Sequence, residues 1–183
     1  MQNKAVFLDR DGTINADTDY IYKIADFNFL PGVKDGLRLL SEAGFTLIVI
    51  TNQSGIARGM YSEADYMRLN EWMISDLKKA GIEIAASYFC PHHPDGYVRK
   101  YKIECACRKP KTGLFEKACS DFEIDKSQSY AIGDRMRDLT FCTQSLVRGV
   151  LLYNDKEERI GNIMKITGGL KEAAEIIING DFK

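Results

Sequence analysis

Asp9 and Asp11, in Asp9-Arg10-Asp11-Gly12-Thr13, are two carboxylates set one residue apart where the apolar run Ala5-Val6-Phe7-Leu8 ends. Acids at this spacing suit a nucleophile and a proton donor acting on one substrate. Along an extended chain, alternation points both side chains to the same side, and Gly12 lets the backbone turn sharply behind them while Thr13 can anchor the turn. Asp-x-Asp also occurs in metal-binding loops and in plain surface turns, so the pair needs support from elsewhere in the chain.

Three further polar clusters stand in the places where such support would be found. The run Thr46 to Ile50 leads into Thr51-Asn52-Gln53-Ser54-Gly55, whose hydroxyl, amides and free backbone N–H groups would cradle an oxyanion without adding charge. Read alone, that segment is more simply a polar turn. Arg108-Lys109-Pro110-Lys111-Thr112-Gly113 puts Lys109 where an ammonium would neutralise phosphate charge, although a short basic run is also what a solvated surface carries. Gly133-Asp134-Arg135-Met136-Arg137-Asp138 follows the run ending at Ile132 and offers carboxylates to a hard cation such as Mg²⁺. Asp138 has the competing reading of an acid in the first turn of a helix.

Five cysteines without a signal-peptide-like start do not suit a disulfide framework, and three of them fall within eighteen positions. Cys90-Pro91-His92 and Cys105-Ala106-Cys107 supply three thiolates and an imidazole in two clusters separated by twelve residues, a spacing that suits a closed tetrahedral Zn²⁺ site. His93 competes with His92; His92 is preferred because Cys90-x-His92 mirrors Cys105-x-Cys107. Four protein ligands leave no position open to water, so this metal would be a structural clasp for the loop Pro91 to Glu104 and not a catalytic ion. Cys119 and Cys142 lie on predicted helices and read as core residues.

The elements that must position these groups alternate along the chain. Strands are expected at Ala5 to Leu8, Thr46 to Ile50, Ala86 to Phe89, Ser129 to Ile132 and Gly149 to Leu152, each near-continuously apolar as a strand covered on both faces should be. Helices are expected at Val33 to Glu42, at Ser62 to Ala80 with Ser62 as cap, after Gly113, at Met136 to Leu146 and at Gly169 to Ile178. The pattern predicts an α/β fold, a doubly wound, mainly parallel sheet of Rossmann type. Such sheets bind ligands beyond the carboxyl ends of their strands, which is where all four polar clusters fall. Only about forty residues separate Asp11 from Thr51, leaving no room for a large cap domain. The loop from Asp17 to Tyr20 and the zinc-clasped loop are then expected to form the rim of an open site.

The chain has 183 residues, which suits one domain spanning 1–183, and its formal net charge of −1 gives no general attraction to nucleic acid. No apolar stretch approaches the length of a membrane span, and the expectation is a cytoplasmic monomer with a small-molecule partner, no nucleic acid and no membrane.

Taken together, an acid pair after the first strand, a Thr after the second, a Lys before a helix and an acid after a later strand resemble the haloacid dehalogenase superfamily of phosphatases. That resemblance implies that Asp9 attacks phosphorus, that Asp11 protonates the leaving oxygen and later activates water, and that Thr51 and Lys109 bind the phosphoryl group. It places Mg²⁺ on Asp9, Asp134 and the Asp11 carbonyl, while the Zn²⁺ site on Cys90, His92, Cys105 and Cys107 rests on the spacing above. An Asp at position 11 favours phosphoryl transfer over dehalogenation, because a departing alkoxide needs an acid. The segments Cys90-Pro91-His92-His93-Pro94, Cys105-x-Cys107-Arg108-Lys109-Pro110 and Asn52-Gln53-Ser54-Gly55-Ile56-Ala57-Arg58-Gly59 are similar to the heptose-bisphosphate phosphatase branch of that superfamily, from Lys4 to about Asp138. The similarity implies removal of the 7-phosphate of a heptose 1,7-bisphosphate, a step toward nucleotide-activated heptose for surface polysaccharide. It assigns substrate contacts to Asp17, Tyr20, Asn52, Gln53, Ser54, Arg108 and Arg135, with Arg135 standing where lysine is more usual.

Three other readings compete. A histidinol-phosphate phosphatase shares the zinc motif. A polynucleotide 3′-phosphatase shares an open site with Thr-Asn-Gln, but this chain shows neither a strongly basic surface nor an aromatic stacking platform. A zinc-stabilised binding module on a degenerate phosphatase fold would usually lack an essential acid or the lysine, and all of them are present.

Overall fold

The computed structural model describes residues 2–153 and 155–182. Its strands are β1 (Ala5–Leu8), β2 (Thr46–Asn52), β3 (Ile84–Cys90), β4 (Tyr130–Gly133), β5 (Arg148–Leu151), β6 (Glu158–Ile160) and β7 (Ile163–Lys165). Its α-helices are α1 (Val33–Glu42), α2 (Ser54–Ala57), α3 (Glu63–Lys79), α4 (Gly113–Asp121) and α5 (Leu170–Asn179). The strands form one sheet in the order β3-β2-β1-β4-β5-β7-β6, parallel except where β6 pairs with β7.

Strand alternation divides the core into two layers. Val6 and Leu8 of β1 join Val49, Leu37 and Met73 on one face, while Ala5 and Phe7 join Ile48, Ile50, Phe115 and Phe141 on the other. This is why β1 reads as continuously apolar: both its faces are covered. Beneath the end of β1 the Phe7 ring meets Phe115 edge-on at 5.0 Å between centroids, and Phe115 stacks on Phe141 at 4.0 Å. These contacts fix β1 between β2 and β4, where Leu8 pairs in register with Val49 and Ile132. The Asp9 N–H then donates to the Ile132 carbonyl at 3.0 Å, so the loops leaving β1, β2 and β4 begin at one level of the sheet.

Local chemistry accounts for the helix ends. Ser62 caps α3: its hydroxyl accepts the Asp65 N–H at 3.1 Å, and the Ser62 N–H donates to the Asp65 carboxylate at 2.8 Å.

Two features differ from the sequence reading. Met136 to Leu146 is not one helix but two 3₁₀ turns, Met136–Asp138 and Thr140–Gln144. Side chains compete there with the helical ladder: Asp138 accepts the Arg135 N–H at 3.2 Å, and Thr140 and Thr143 donate to the carbonyls of Met136 and Thr140 at 3.2 and 2.8 Å. The β6–β7 hairpin was not foreseen, because β6 is only three residues and wholly exposed. Its signal was the pair Gly161-Asn162 between two isoleucines, with Gly161 at φ +60°. No large cap lies between β1 and β2, which are joined by a loop with a short 3₁₀ turn at Ile24–Asp26 and by α1.

Candidate active site

Lys109 reaches the ends of the strands from the segment before α4 and is 5% exposed. Its ammonium donates to Asp9 Oδ1 at 2.6 Å and to the Ile50 carbonyl at 2.8 Å, and it pairs with Asp138 Oδ1 at 2.8 Å. All three ammonium protons therefore have acceptors. Burial works against its charge, yet Asp9 and Asp138 together outweigh that and hold its pKa above the ordinary lysine value. Asp9 shows the opposite face of the same balance. Burial raises its carboxyl to about 7, Lys109 pulls it down, and Asp138 and Asp11 push it up.

Asp11 is held by three side chains, two from its own loop and one from the end of β2. Arg10, itself 1% exposed, grips it through Nη2 at 2.8 and 3.0 Å and Nε at 3.1 Å. Asn15 Nδ2 donates to Oδ1 at 3.1 Å, and Gln53 Nε2 donates to Oδ2 at 2.9 Å. Gln53 Nε2 also donates to Thr51 Oγ1 at 2.8 Å, while its Oε1 accepts the Tyr61 hydroxyl at 2.6 Å. The acid of the β1 loop and the hydroxyl at the end of β2 thus share one scaffold.

Asp134 packs on Gly12. A Cβ at Gly12, whose φ is +85°, would stand 2.4 Å from Asp134 Oδ2, so only glycine brings the two loops this close. Ligand oxygens of Asp9, Asp134 and Asp138 lie within 4.8 Å of one another. Asp134 Oδ1 is buried with no hydrogen-bond partner among the described residues, and burial followed by Asp138 raises its pKa. Three carboxylates converging on one point, one carrying an orphaned oxygen, fit a hard divalent cation. Asp138 belongs to this cluster and also accepts the Arg135 N–H at the head of its turn.

The four expected zinc ligands also converge. Cys107 Sγ lies 3.0 Å from Cys90 Sγ, 3.2 Å from Cys105 Sγ and 3.3 Å from His92 Nδ1, while Cys90 Sγ is 3.5 Å from Cys105 Sγ and 3.8 Å from His92 Nδ1. A tetrahedron with Zn–S bonds of about 2.3 Å has edges near ~3.8 Å, so slight expansion admits the ion. Burial pushes the Cys90 thiol well above its ordinary range, and ionising it in place requires the positive charge a metal supplies. The cluster is compatible with a zinc-binding loop. His93 turns away from it: its Nδ1 accepts the Asp95 N–H at 3.1 Å and its Nε2 faces Arg58 Nη2 at 3.3 Å.

Asp17 and Tyr20 from the loop after β1, Asn52, Gln53 and Ser54 from the end of β2, and Arg108 and Arg135 all line one cavity of about 370 Å³. Within it, their engagements differ. Both amide atoms of Asn52 are committed to Lys109, accepting its N–H and donating to its carbonyl, each at 3.0 Å, so Asn52 acts as a clip between β2 and the segment that carries the lysine. Arg135 pairs with Asp17 at 2.9 Å and with Asp134 at 3.5 Å. Among the described residues Arg108 makes one hydrogen bond, to the His92 carbonyl at 3.5 Å. Sequence reasoning missed Arg10, Asn15 and Tyr61, which orient Asp11 and Gln53. Arg10 leaves no signal in the chain beyond its place between two acids.

Comparison with known proteins places this geometry among phosphatases. Residues 4–145 match the family model described as polynucleotide kinase 3 phosphatase. The D-glycero-β-D-manno-heptose-1,7-bisphosphate 7-phosphatase of Haemophilus ducreyi is 42% identical over 180 residues, covering 98% of this chain and 94% of its own length. The enzyme of the same name from Escherichia coli O6:H1 is 47% identical over 175 residues, covering 96% of this chain and 88% of its own. The crystal structure of the D,D-heptose 1,7-bisphosphate phosphatase of B. bronchiseptica, complexed with magnesium and phosphate, superposes with a TM-score of 0.83 at 28% identity, covering 97% of this chain and 99% of that one. A HAD-like phosphatase from Mesorhizobium loti gives a TM-score of 0.87 at 27% identity over 97% of this chain and 87% of its own.

Proposed function

The chain belongs to the haloacid dehalogenase phosphatases, in the family of the heptose-1,7-bisphosphate 7-phosphatases, and from that premise we propose that it removes the 7-phosphate of D-glycero-D-manno-heptose 1,7-bisphosphate through an aspartyl-phosphate. It is a phosphoric monoester hydrolase. The observation that carries the substrate is the 42% identity to a heptose-bisphosphate phosphatase across 98% of the chain. The chemistry is carried by Asp9 and Asp134 converging with Asp138, Lys109 paired with Asp9, and Gln53 bonding both Asp11 and Thr51. The family model named for polynucleotide kinase phosphatases covers the same catalytic segments, and the full-length relatives decide between the two substrates.

In this reading the Asp9 carboxylate forms a bond to phosphorus as the bond from phosphorus to the sugar oxygen breaks, and Asp11 delivers a proton to that departing oxygen. Asp11 then takes a proton from the water that cleaves the aspartyl-phosphate, which restores Asp9 and releases phosphate. Splitting hydrolysis this way needs only one group to alternate between acid and base. Thr51 Oγ1 donates to the phosphoryl group, and the Lys109 ammonium, held on Asp9, offsets negative charge as Asp9 approaches phosphorus. Asp9, Asp134 and the Asp11 carbonyl would hold Mg²⁺, with Asp138 beside them, and the ion would screen the repulsion between the carboxylate nucleophile and a dianionic phosphate. Cys90, His92, Cys105 and Cys107 would hold Zn²⁺ as a clasp. Cys107 stands two residues before Lys109, so ordering that loop also places the lysine.

Phosphate release at fixed Mg²⁺ tests the reading across both anomers of heptose 1,7-bisphosphate, histidinol phosphate and a 3′-phosphorylated oligonucleotide. A large preference in kcat/KM for a heptose anomer supports it. Preference for either of the other two overturns the substrate while leaving the chemistry.

A further inference from the structure

A bisphosphate carries a second dianion that does not react, and the cavity must hold it. Arg135 is poorly free to do so, since Asp17 at 2.9 Å and Asp134 at 3.5 Å already balance its charge. Arg58 and Arg108, which line the same cavity, make no ion pair among the described residues. Arg58 Nε is buried and without a hydrogen-bond partner among the described residues. The contact between Arg58 and His93 points the same way. With His93 Nδ1 accepting the Asp95 N–H, the proton of the neutral ring sits on Nε2, and Nε2 faces Arg58 Nη2 at 3.3 Å, donor to donor. Two donors converging without an acceptor are satisfied by one oxygen of an anion lying between them. Arg137 also lines this cavity.

We propose that Arg58, with Arg108 and His93 Nε2, forms the subsite for the non-reacting phosphate, and that Arg58 sets the preference for a doubly phosphorylated sugar over the corresponding monophosphate. Arg58 follows directly on α2 (Ser54–Ala57), so the segment that opens with the phosphate-facing Thr51 closes on the distal contact. The inference rests on the bisphosphate reading above.

The test compares wild type with Arg58→Ala and Arg58→Lys, using kcat/KM for heptose 1,7-bisphosphate and for heptose 7-phosphate, and the inhibition constant of heptose 1-phosphate. In Arg58→Ala the bisphosphate-to-monophosphate ratio falls on the order of 10- to 100-fold, and heptose 1-phosphate inhibits more weakly by a similar factor. Arg58→Lys, which keeps the charge but loses the fork, retains part of both. A ratio and an inhibition constant within about threefold of wild type in Arg58→Ala overturn the subsite. A wild-type enzyme with no preference for the bisphosphate overturns the substrate reading itself, and the subsite with it.

Discussion

Asp138 offers the sharpest test of how the site is held together, because its carboxylate is 3% exposed and meets Lys109 Nζ at 2.8 Å. Asp138→Asn keeps the shape and removes the charge. Lys109 retains Asp9 and the Ile50 carbonyl, so the loss is one charge-assisted hydrogen bond, about 1.5 to 3 kcal/mol, and not the larger penalty of an isolated buried ammonium. At roughly 2 to 4 °C per kcal/mol for a domain of this size, the Tm should fall by about 3 to 12 °C. The ammonium is also drawn more strongly to Asp9, the proposed nucleophile, so kcat should drop roughly 10- to 150-fold at saturating Mg²⁺. A double-mutant cycle with Lys109→Met, followed by urea unfolding, isolates the pair. The coupling should be about 1.5 to 3 kcal/mol, and a coupling below about 0.5 kcal/mol would refute the claim that Asp138 acts through the lysine.

Asp9→Asn, which keeps the side-chain shape without the anionic nucleophile, should abolish turnover to below roughly one part in 10⁴, and retained burst-phase phosphate release would contradict its assignment. In protein loaded with Zn²⁺, stripping the proposed Cys90–His92–Cys105–Cys107 site with a chelator that leaves Mg²⁺ in place should lower both Tm and kcat, because Lys109 sits two residues after Cys107 and is clipped to Asn52; an unchanged kcat would show that the loop and the lysine are independent. In the metal-free protein the Asp9 carboxyl is raised to about 7, so protons compete with Mg²⁺ below that pH. The apparent Kd for Mg²⁺ should therefore tighten about tenfold from pH 6 to pH 8 in calorimetric titration, whereas an affinity flat across that range would place the proton elsewhere.

The frame was readable because strands covered on both faces carry unbroken apolar runs. Val6 and Leu8 face one layer while Ala5 and Phe7 face the other, and the residues just past those runs were bound to meet. The role of Arg10 was not readable, since nothing in its type says whether a guanidinium between two acids points to solvent or folds back on one of them. The family similarity makes Asn52 a substrate contact; its clip to Lys109, 57 residues away, is brought about by the fold alone. The segment after Asp138 has the composition of a helix, yet Thr140 and Thr143 spend their hydroxyls on nearby carbonyls and the ladder stops. Distant pairing and local side-chain competition are the two kinds of information that periodicity does not carry.

A ³¹P NMR time course on heptose 1,7-bisphosphate with Mg²⁺ asks the central question directly, since the two phosphates resolve as separate signals. The 7-phosphate resonance should disappear as inorganic phosphate grows, with the 1-phosphate persisting at constant intensity. Loss of the 1-phosphate first, or of neither, would contradict the assignment.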